Sequence, residues 1–184
     1  PLNQFKEIFD DYKIIDYQSF NSNDEIKENN IAATLLKVHE RKTAKGNSYA
    51  VLKLTDLTSV FELFIFSDIL ELNRETLIEG NSLILTLVKS ISNDENRFKR
   101  INVQKIGSLS DLFNNPINKV SFDINSDENL DLISKTLFEE GKTEVNFNIV
   151  VDDKTLKFKL KNQRKLDRKS LNLLRKREIS SNIS

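Results

Sequence analysis

Several residue types on which protein chemistry depends are absent or rare in this chain of 184 residues. It contains no cysteine, no methionine and a single histidine, His39. Without cysteine, disulfides, thiolate metal sites and thiol catalysis are excluded. One histidine cannot build a multi-histidine metal centre or a Cys/His dyad. We therefore expect no metal and no cofactor in this chain.

Long apolar runs and a signal-like N-terminus are also missing. No apolar run approaches the roughly 18 residues that a membrane-spanning helix needs, so we expect no membrane association. The opening Pro1-Leu2-Asn3-Gln4 lacks the basic and apolar regions of a signal peptide. Because the chain starts at proline and holds no methionine, we expect it to be a piece of a longer protein.

Charge is balanced overall but arranged in blocks. The 28 basic and 28 acidic side chains cancel, so no global field attracts a polyanion. The net charge is −4 in residues 1–30, +2 in 31–107, −7 in 108–153 and +9 in 154–184. Blocks of opposite sign indicate segments with different surroundings or partners.

Apolar periodicity predicts a small β-rich unit in the first part of the chain. Residues 1–30 are read as a short amphipathic helix over 2–20 followed by a polar linker. Five strands are predicted at 31–41, 48–56, 60–66, 82–92 and 97–106, with a helix or helical turn at 67–79. This order predicts a five-stranded Greek-key barrel of the OB type over 31–107, with a split sandwich as the alternative.

A second, smaller module is predicted after a linker at 108–118. Residues 119–184 show the order β-α-β-β-α, which makes the whole chain mainly β with α, an α+β protein. In the strand at 156–160, Leu156, Phe158 and Leu160 are expected to point inward. The tail 179–184 shows no pattern.

The residues from Glu40 to Phe66 carry a family resemblance. They combine a basic turn containing Thr, Lys and Gly, a strand ending at Leu54-Thr55-Asp56, a turn, and a strand ending in Phe. This arrangement resembles the OB domain of the bacterial replicative DNA polymerase III alpha subunit. The opening Pro1-Leu2-Asn3-Gln4-Phe5 is similar to the family's Gly-His-Pro-Leu element, truncated after its His. Ser59 stands where the family often has glycine.

The resemblance implies a role at a replication fork. The parent protein would be a DNA-directed DNA polymerase, a nucleotidyltransferase whose active site and main sliding-clamp-binding peptide lie upstream of this chain. The OB domain would meet single-stranded template DNA, and the C-terminal domain would dock the tau subunit of the clamp loader. Other replisome subunits would be further partners, and the location would be the bacterial cytoplasm.

Candidate DNA-binding residues follow from how OB barrels hold oligonucleotides, on strands two and three and on the flanking loops. Binding needs cations for phosphates and flat side chains for bases. The candidates are Arg41, Lys42, Lys45, Tyr49, Lys53, Phe64, Arg97, Phe98, Lys99 and Arg100. The alternative is that the lysines are solvated charges and the two phenylalanines pack against neighbouring structure. The net charge of +2 favours weak binding, and His39 is read as a surface histidine.

The basic C-terminal segment supplies candidate partner-binding residues. These are Arg168, Lys169, Leu171, Leu174 and Arg175 on a helix predicted at 167–177. The segment could contact nucleic acid or an acidic partner, or neutralise the acidic block at 108–153. Leu171 and Leu174 could accordingly face either the core or a partner.

Three functions remain open from the sequence. The first is the C-terminal region of a replicative polymerase, the second an OB nucleic-acid module from another system, and the third an interaction scaffold that binds no nucleic acid. A free-standing enzyme is disfavoured because the paired carboxylates are adjacent in sequence and do not face each other. Asp127-Glu128 is read as helix-start charge and Asp152-Asp153 as a turn.

Overall fold

The structure, a computed structural model, describes residues 1–184. The chain divides into two compact units, unit 1 at Pro1–Asn114 and unit 2 at Asn115–Ser184. Strands hold 43% of the residues and helices 24%, which confirms the α+β class expected from the sequence. No helix is both long enough and apolar enough to cross a membrane.

Unit 1 contains six strands, three α-helices and one 3₁₀ helix. In chain order these are the 3₁₀ helix (Leu2–Ile8), β1 (Ile14–Ile15), α1 (Tyr17–Ser22), β2 (Glu28–Lys42), β3 (Ser48–Thr55), β4 (Val60–Phe66), α2 (Ser67–Leu72), β5 (Ser82–Ile91), β6 (Lys99–Ser108) and α3 (Leu109–Asn114). The strand predicted at 60–66 has the same ends as β4, and the other four predicted strands overlap β2, β3, β5 and β6.

One sheet holds all the strands of unit 1, in the order β4-β3-β2-β5-β6, with β1 paired in parallel to β2. The long strand β2 pairs with β5 along its first half and with β3 along its second half. The end strands β4 and β6 approach each other with Cα atoms within 8 Å but share no backbone ladder. The sheet therefore differs from the expected closed five-stranded barrel in two ways: it has a sixth strand, and hydrogen bonds do not close it.

Two separate apolar clusters lie on the two faces of this sheet. The inner face carries the larger core, to which α1 contributes Phe20 and α2 contributes Leu70. The outer face carries a smaller cluster over the first half of β2, formed by Leu2, Phe5, Ile8, Ala32 and Leu109. The 3₁₀ helix and α3 therefore pack together on the same part of the sheet.

Two predictions about the ends of unit 1 are wrong. The continuous helix expected over 2–20 is replaced by the 3₁₀ helix, β1 and α1, because Lys13 adopts a positive φ of 51° and the next two residues pair with β2. The spacing of three between Leu2, Phe5 and Ile8 suits a 3₁₀ helix. Residues 109–114, expected in a linker, are helical because Leu109 is fully buried in the outer cluster.

Unit 2 is a four-stranded sheet with two helices. Its elements are β7 (Lys119–Ile124), α4 (Asp127–Thr136), β8 (Glu140–Val151), β9 (Lys154–Lys159), α5 (Arg168–Lys176) and β10 (Ser181–Ile183). The strand order is β10-β7-β8-β9, with β7 and β8 parallel and joined through α4. The expected order of elements is present, and β10 is added where the sequence shows no pattern.

The β8–β9 hairpin contains one confirmed and one wrong prediction. Asp152 and Asp153 form the turn, with positive φ values of 48° and 61°, as in the tight turns that suit strand twist. Of the three residues expected to point inward, Leu160 packs partly buried against the core of unit 2. Leu156 and Phe158 lie on the core face of the sheet, but they are 44% and 51% exposed. They lie on β9, which is the edge strand of the sheet.

Candidate nucleic-acid interface

Part of the outer surface of the unit 1 sheet presents cations and aromatic rings together. We call it the open face, and it consists of the outward side chains of the second half of β2, of β3 and of β4. Its members are Lys37, His39, Arg41, Tyr49, Val51, Lys53, Glu62, Phe64 and Phe66. The alternate residues of β3, namely Ala50, Leu52 and Leu54, are buried in the inner core, which fixes the outward direction of their neighbours.

The strand register arranges the open face in three rows. The rows are Arg41, Tyr49 and Phe66; His39, Val51 and Phe64; and Lys37, Lys53 and Glu62. Directly opposite side chains on neighbouring strands have Cβ atoms about 4.5–5.5 Å apart. In the first row Tyr49 on β3 lies directly opposite both Arg41 on β2 and Phe66 on β4, which places a cation and two rings side by side, the combination that binding of single-stranded nucleic acid requires. In the second row Val51, which is 9% exposed, separates His39 from Phe64.

The two phenylalanines of the open face are exposed. Phe64 is 55% exposed and Phe66 is 62% exposed, although large apolar side chains on strands are usually covered. This exposure counts against the alternative in which Phe64 packs against neighbouring structure. Both rings are accessible for stacking.

The cations of the open face are not engaged in salt bridges. Lys37, Arg41 and Lys53 take part in none of the ion pairs of the structure. Glu62 lies directly opposite Lys53 and offsets part of the positive charge of the third row. The face is thus moderately basic.

Arg74 shows the contrasting case of a cation held by acidic partners. Its guanidinium lies 2.7 Å from a Glu71 oxygen and 2.5 Å from a Glu40 oxygen. The hydrogen bonds that Arg74 donates to Glu71 and Glu40 raise the pKa of Arg74 further above its ordinary range. Its charge is therefore largely satisfied within the protein.

The β2–β3 turn continues directly from the first row and carries two further candidate cations, Lys42 and Lys45, both exposed. Thr43 closes this turn, since its N–H donates to Asn47 O at 2.8 Å and its carbonyl accepts from Gly46 N–H at 2.9 Å. Gly46 has a φ of 84°, which favours glycine. The sequence prediction of a glycine turn with flanking lysines is confirmed.

Asp56 fixes the other turn of the face, between β3 and β4. Its carboxylate accepts from the N–H groups of Tyr17, Thr58 and Ser59, each at 2.7 Å. Burial by itself would raise the pKa of Asp56, but these backbone donors outweigh burial and hold the pKa below its ordinary value. Ser59 has no positive φ, so this turn does not need the glycine that the related family often has.

The structure separates the last four predicted DNA-binding residues from the open face. Arg97, Phe98, Lys99 and Arg100 lie in the β5–β6 hairpin, and all four are exposed. Along β2 this hairpin and the β2–β3 turn lie at opposite ends, because β5 runs antiparallel to β2 past Glu28 before it turns. Of the other six predicted residues, Arg41, Tyr49, Lys53 and Phe64 share the open face. Lys42 and Lys45 lie at the end of β2 and in the β2–β3 turn.

Two hairpin cations already have partners within unit 1. Lys99 forms an ion pair with Asp24 at 2.9 Å and donates to Asn21 O at 2.6 Å. The guanidinium of Arg100 lies 5.7 Å from the ring centroid of Phe98. The two contacts of Lys99 link the hairpin to α1 and to the residue that follows it closely, which gives Lys99 a structural role.

Most of the predicted partner-binding residues on α5 are not exposed. Leu171 and Leu174 are 0% and 1% exposed, and Arg168 is also buried. Arg175 Nε donates to Ser181 Oγ at 2.8 Å and so holds β10 against the helix. Of the five predicted residues only Lys169 is fully exposed. The apolar side of α5 therefore forms the core of unit 2.

Sequence reasoning missed Lys37 and Phe66 as members of the face. A strict alternation through Ile31 and Leu35 would turn Lys37 inward, but a β-bulge between Leu35 and Lys37 shifts the phase. Period two already predicts Phe66 on the same side of the strand as Phe64, but Phe66 was not among the candidate DNA-binding residues.

A buried lysine was also missed. Lys89 is 3% exposed, and its ammonium donates to Phe20 O and, at 2.8 Å, to Asn23 O at the C-terminal end of α1. Such carbonyls lack helical partners and attract a cation. Burial, with the nearby charge of Lys99, lowers the pKa of Lys89. The residue anchors α1 and takes no part in the open face.

The chemistry offered by the open face is binding. It presents rings, cations and one carboxylate, Glu62. No group of three or more His, Asp or Glu side chains is placed to share a metal ion. The arrangement suits a flexible polyanion with flat groups, such as a single nucleic-acid strand.

Comparison with known proteins finds a partial similarity to one polymerase subunit. No family model matches the sequence. The chain is 30% identical over 117 residues to the DNA polymerase III subunit alpha of Rickettsia felis. The match covers 62% of this chain and 9% of that protein, so the chain spans a small share of its relative. The similarity agrees with the resemblance carried by residues 40–66.

Proposed function

We propose that this chain is the C-terminal accessory region of a replicative DNA polymerase of the DNA polymerase III alpha type. The similarity to the Rickettsia felis subunit supports this proposal. Nucleotide transfer by the whole polymerase would be performed by residues outside this chain. The setting would be the bacterial cytoplasm, with other replisome subunits as neighbours.

In this proposal unit 1 is an OB module that contacts single-stranded template DNA. Its path β4-β3-β2-β5-β6 has the order of an OB barrel opened between the two end strands. The observation that carries the proposal is the open face, where the exposed rings of Phe64 and Phe66 lie on the same side of the sheet as Lys37, Arg41 and Lys53. OB modules use this part of the sheet for oligonucleotides.

The composition of the open face favours weak binding. Each base stacked on an aromatic ring contributes roughly 1–3 kcal/mol, and few rings are available. The net charge of residues 31–107 is only +2, and Glu62 offsets part of the cationic surface. Contact of this kind suits a module that holds the template near a polymerase, where the rest of the enzyme supplies the affinity.

In the same proposal unit 2 docks the tau subunit of the clamp loader. The support is the net charge of +9 in residues 154–184, which suits an acidic partner surface. Because Leu171 and Leu174 are buried, docking has to use other residues of unit 2.

Fluorescence anisotropy of a labelled single-stranded oligonucleotide, titrated with the chain over a salt series, tests the DNA contact. We expect saturable binding with a log–log salt slope of about −0.7 for each phosphate contacted. The triple variant Lys37→Glu/Arg41→Glu/Lys53→Glu should abolish binding at moderate salt. Its matched control, Lys169→Glu/Lys176→Glu/Arg177→Glu, changes the charge equally on exposed positions of unit 2 and should bind as wild type.

Two outcomes would contradict the DNA proposal. Equal loss of binding in both triple variants would assign the contact to overall charge or to the basic C-terminal segment. An absence of binding even at low salt would favour the interaction scaffold. The exposed Val60, Phe64 and Phe66 also suit a protein partner, so the scaffold is the second candidate function.

A further inference from the structure

The edge strand of unit 2 has the features of a docking site for an extended peptide. β9 has β8 on one side and no strand on the other, and all six of its residues are exposed. An edge of this kind presents unpaired backbone N–H and C=O groups to any incoming strand. The other edge of the sheet is the three-residue strand β10.

One face of β9 is apolar because it continues the core face of the sheet. Leu156 lies opposite Ile149 and Phe158 lies opposite Phe147. Phe147 belongs to the core with α4 and α5 and is 9% exposed, whereas Phe158 is 51% exposed. The packed core therefore ends between β8 and β9. Leu156 and Phe158 form an exposed apolar strip along the edge of the sheet.

Along β9, the backbone N–H and C=O groups of every second residue point toward the open edge of the sheet. Leu160 N–H donates to Val145 O at 2.9 Å, and hydrogen-bonded pairs in an antiparallel ladder recur every second residue. Phe158 and Leu156 therefore bond to β8. The N–H and C=O groups of Thr155, Lys157 and Lys159 point away from the sheet.

The charge on β9 selects what can pair with it. Lys157 and Lys159 lie on the face opposite the apolar strip, and Lys161 follows two residues after the end of β9. Lys159 forms an ion pair with Glu144 at 2.6 Å, whereas Lys157 and Lys161 take part in no salt bridge of the structure. Lysine on an edge strand repels a second copy of the same strand, so self-pairing is disfavoured.

We propose that β9 docks an extended acidic segment of a partner protein, which adds to unit 2 as a fifth strand. The segment alternates apolar residues, which cover Leu156 and Phe158, with Asp or Glu, which meet Lys157 and Lys161. Backbone pairing supplies affinity in this mode of recognition and the alternate side chains supply specificity. The inference deepens the docking part of the proposed function and rests on it.

Backbone amide exchange of the full chain, measured by NMR, provides the test. The probe is a synthetic nine-residue peptide in which glutamate and valine alternate. We expect saturable binding that slows exchange at Thr155, Lys157 and Lys159, while the amides of Leu156 and Phe158 change little. A peptide in which lysine replaces glutamate should not bind. Protection spread evenly over unit 2, or none at the three edge amides, would overturn the proposal.

Matched variants separate backbone pairing from charge. Lys157→Pro removes the outward N–H, and Lys157→Ala removes the same charge but keeps that N–H. We expect the proline variant to bind the acidic peptide about fivefold to tenfold more weakly than the alanine variant. Equal affinities would exclude a backbone ladder. Phe158→Ser should also weaken binding. Because Phe158 is 51% exposed, we expect this variant to fold.

A pull-down with purified tau distinguishes failure of this inference from failure of the docking function. Retention of tau by wild type but not by Phe158→Ser supports both. Equal retention by wild type, Lys157→Pro and Phe158→Ser overturns the edge site and leaves docking in place. If wild type does not retain tau, the docking function fails, whatever the peptide does.

Discussion

The outer face of the unit 1 sheet has two halves, and β2 contributes to both. Over the first half of β2, Ala32 lies beneath the 3₁₀ helix and α3 in an apolar cluster. Over the second half, Lys37, His39 and Arg41 form part of the open face. A β-bulge at Leu35–Lys37 separates the halves, so one strand is covered at one end and exposed at the other.

The difference follows from side-chain size and charge. Ala32 and its cross-strand partner Ile84 let an apolar segment approach the sheet closely, and Ile8 is fully buried there. Lysine and arginine at the equivalent outward positions would have to lose their hydration under a similar cover. The covered half therefore contributes to stability, and the open half is free to bind.

The largest expected effect is on stability in the covered half. Ile8→Ala should lower the free energy of unfolding of unit 1 by about 2–5 kcal/mol, because it leaves a cavity in the outer cluster. All three tyrosines, Tyr12, Tyr17 and Tyr49, lie in unit 1, so tyrosine fluorescence during urea unfolding follows this unit alone. Val60→Ala, at a 59% exposed position, is the control and should change stability by less than about 0.5 kcal/mol.

The second effect is on binding in the open half. Phe64→Ala and Phe66→Ala should each weaken oligonucleotide binding by roughly 1–3 kcal/mol, because each removes one stacking platform. Neither should change the urea midpoint appreciably, since both rings are exposed. The measurement is anisotropy at fixed salt. A large loss of stability in either variant would show that its ring is packed like the side chains of the covered half. That result would contradict the distinction between the two halves.

A smaller effect concerns the β3–β4 turn of the open half. Asp56→Asn should cost about 1 kcal/mol, because the amide keeps one acceptor oxygen but leaves the N–H of Tyr17 without its acceptor. Because the folded-state pKa of Asp56 is lowered, its stabilisation is present above the unfolded value of about 3.9 and is lost as the pH falls through the folded value. Urea midpoints from pH 6 to pH 2 should fall less steeply in the variant. Parallel curves would show that this carboxylate does not contribute to acid unfolding.

The smallest effect is expected in the β5–β6 hairpin. Arg97→Ala should leave the salt slope of oligonucleotide binding unchanged, whereas Arg41→Ala should make the slope less negative by about 0.7. Both variants lose one positive charge, so they are matched. An equal change in the salt slope of both variants would show that the hairpin also contacts DNA. It would contradict the separation inferred from the strand register.

Much of the strand pattern could be predicted, and some positions show why the rest could not. The strand β4 has the ends predicted from the sequence, and exposed and buried side chains alternate along it without interruption. Lys37 was not among the candidate residues because the β-bulge between Leu35 and Lys37 changes which side chains of β2 face outward. The apolar periodicity of the sequence does not reveal this bulge. Leu156 and Phe158 were placed inward because alternation cannot show that a strand lies at an edge.

The sequence by itself determined the α+β class, most strands, the glycine turn at Gly46 and the arrangement of charge in blocks, because these depend on residues close along the chain. Only the tertiary structure decided which surfaces are free. It buried Leu171 and Leu174, left Phe64, Phe66 and Phe158 exposed, and placed the β5–β6 hairpin away from the β2–β3 turn. Exposure depends on what distant segments cover, and local periodicity does not contain that information.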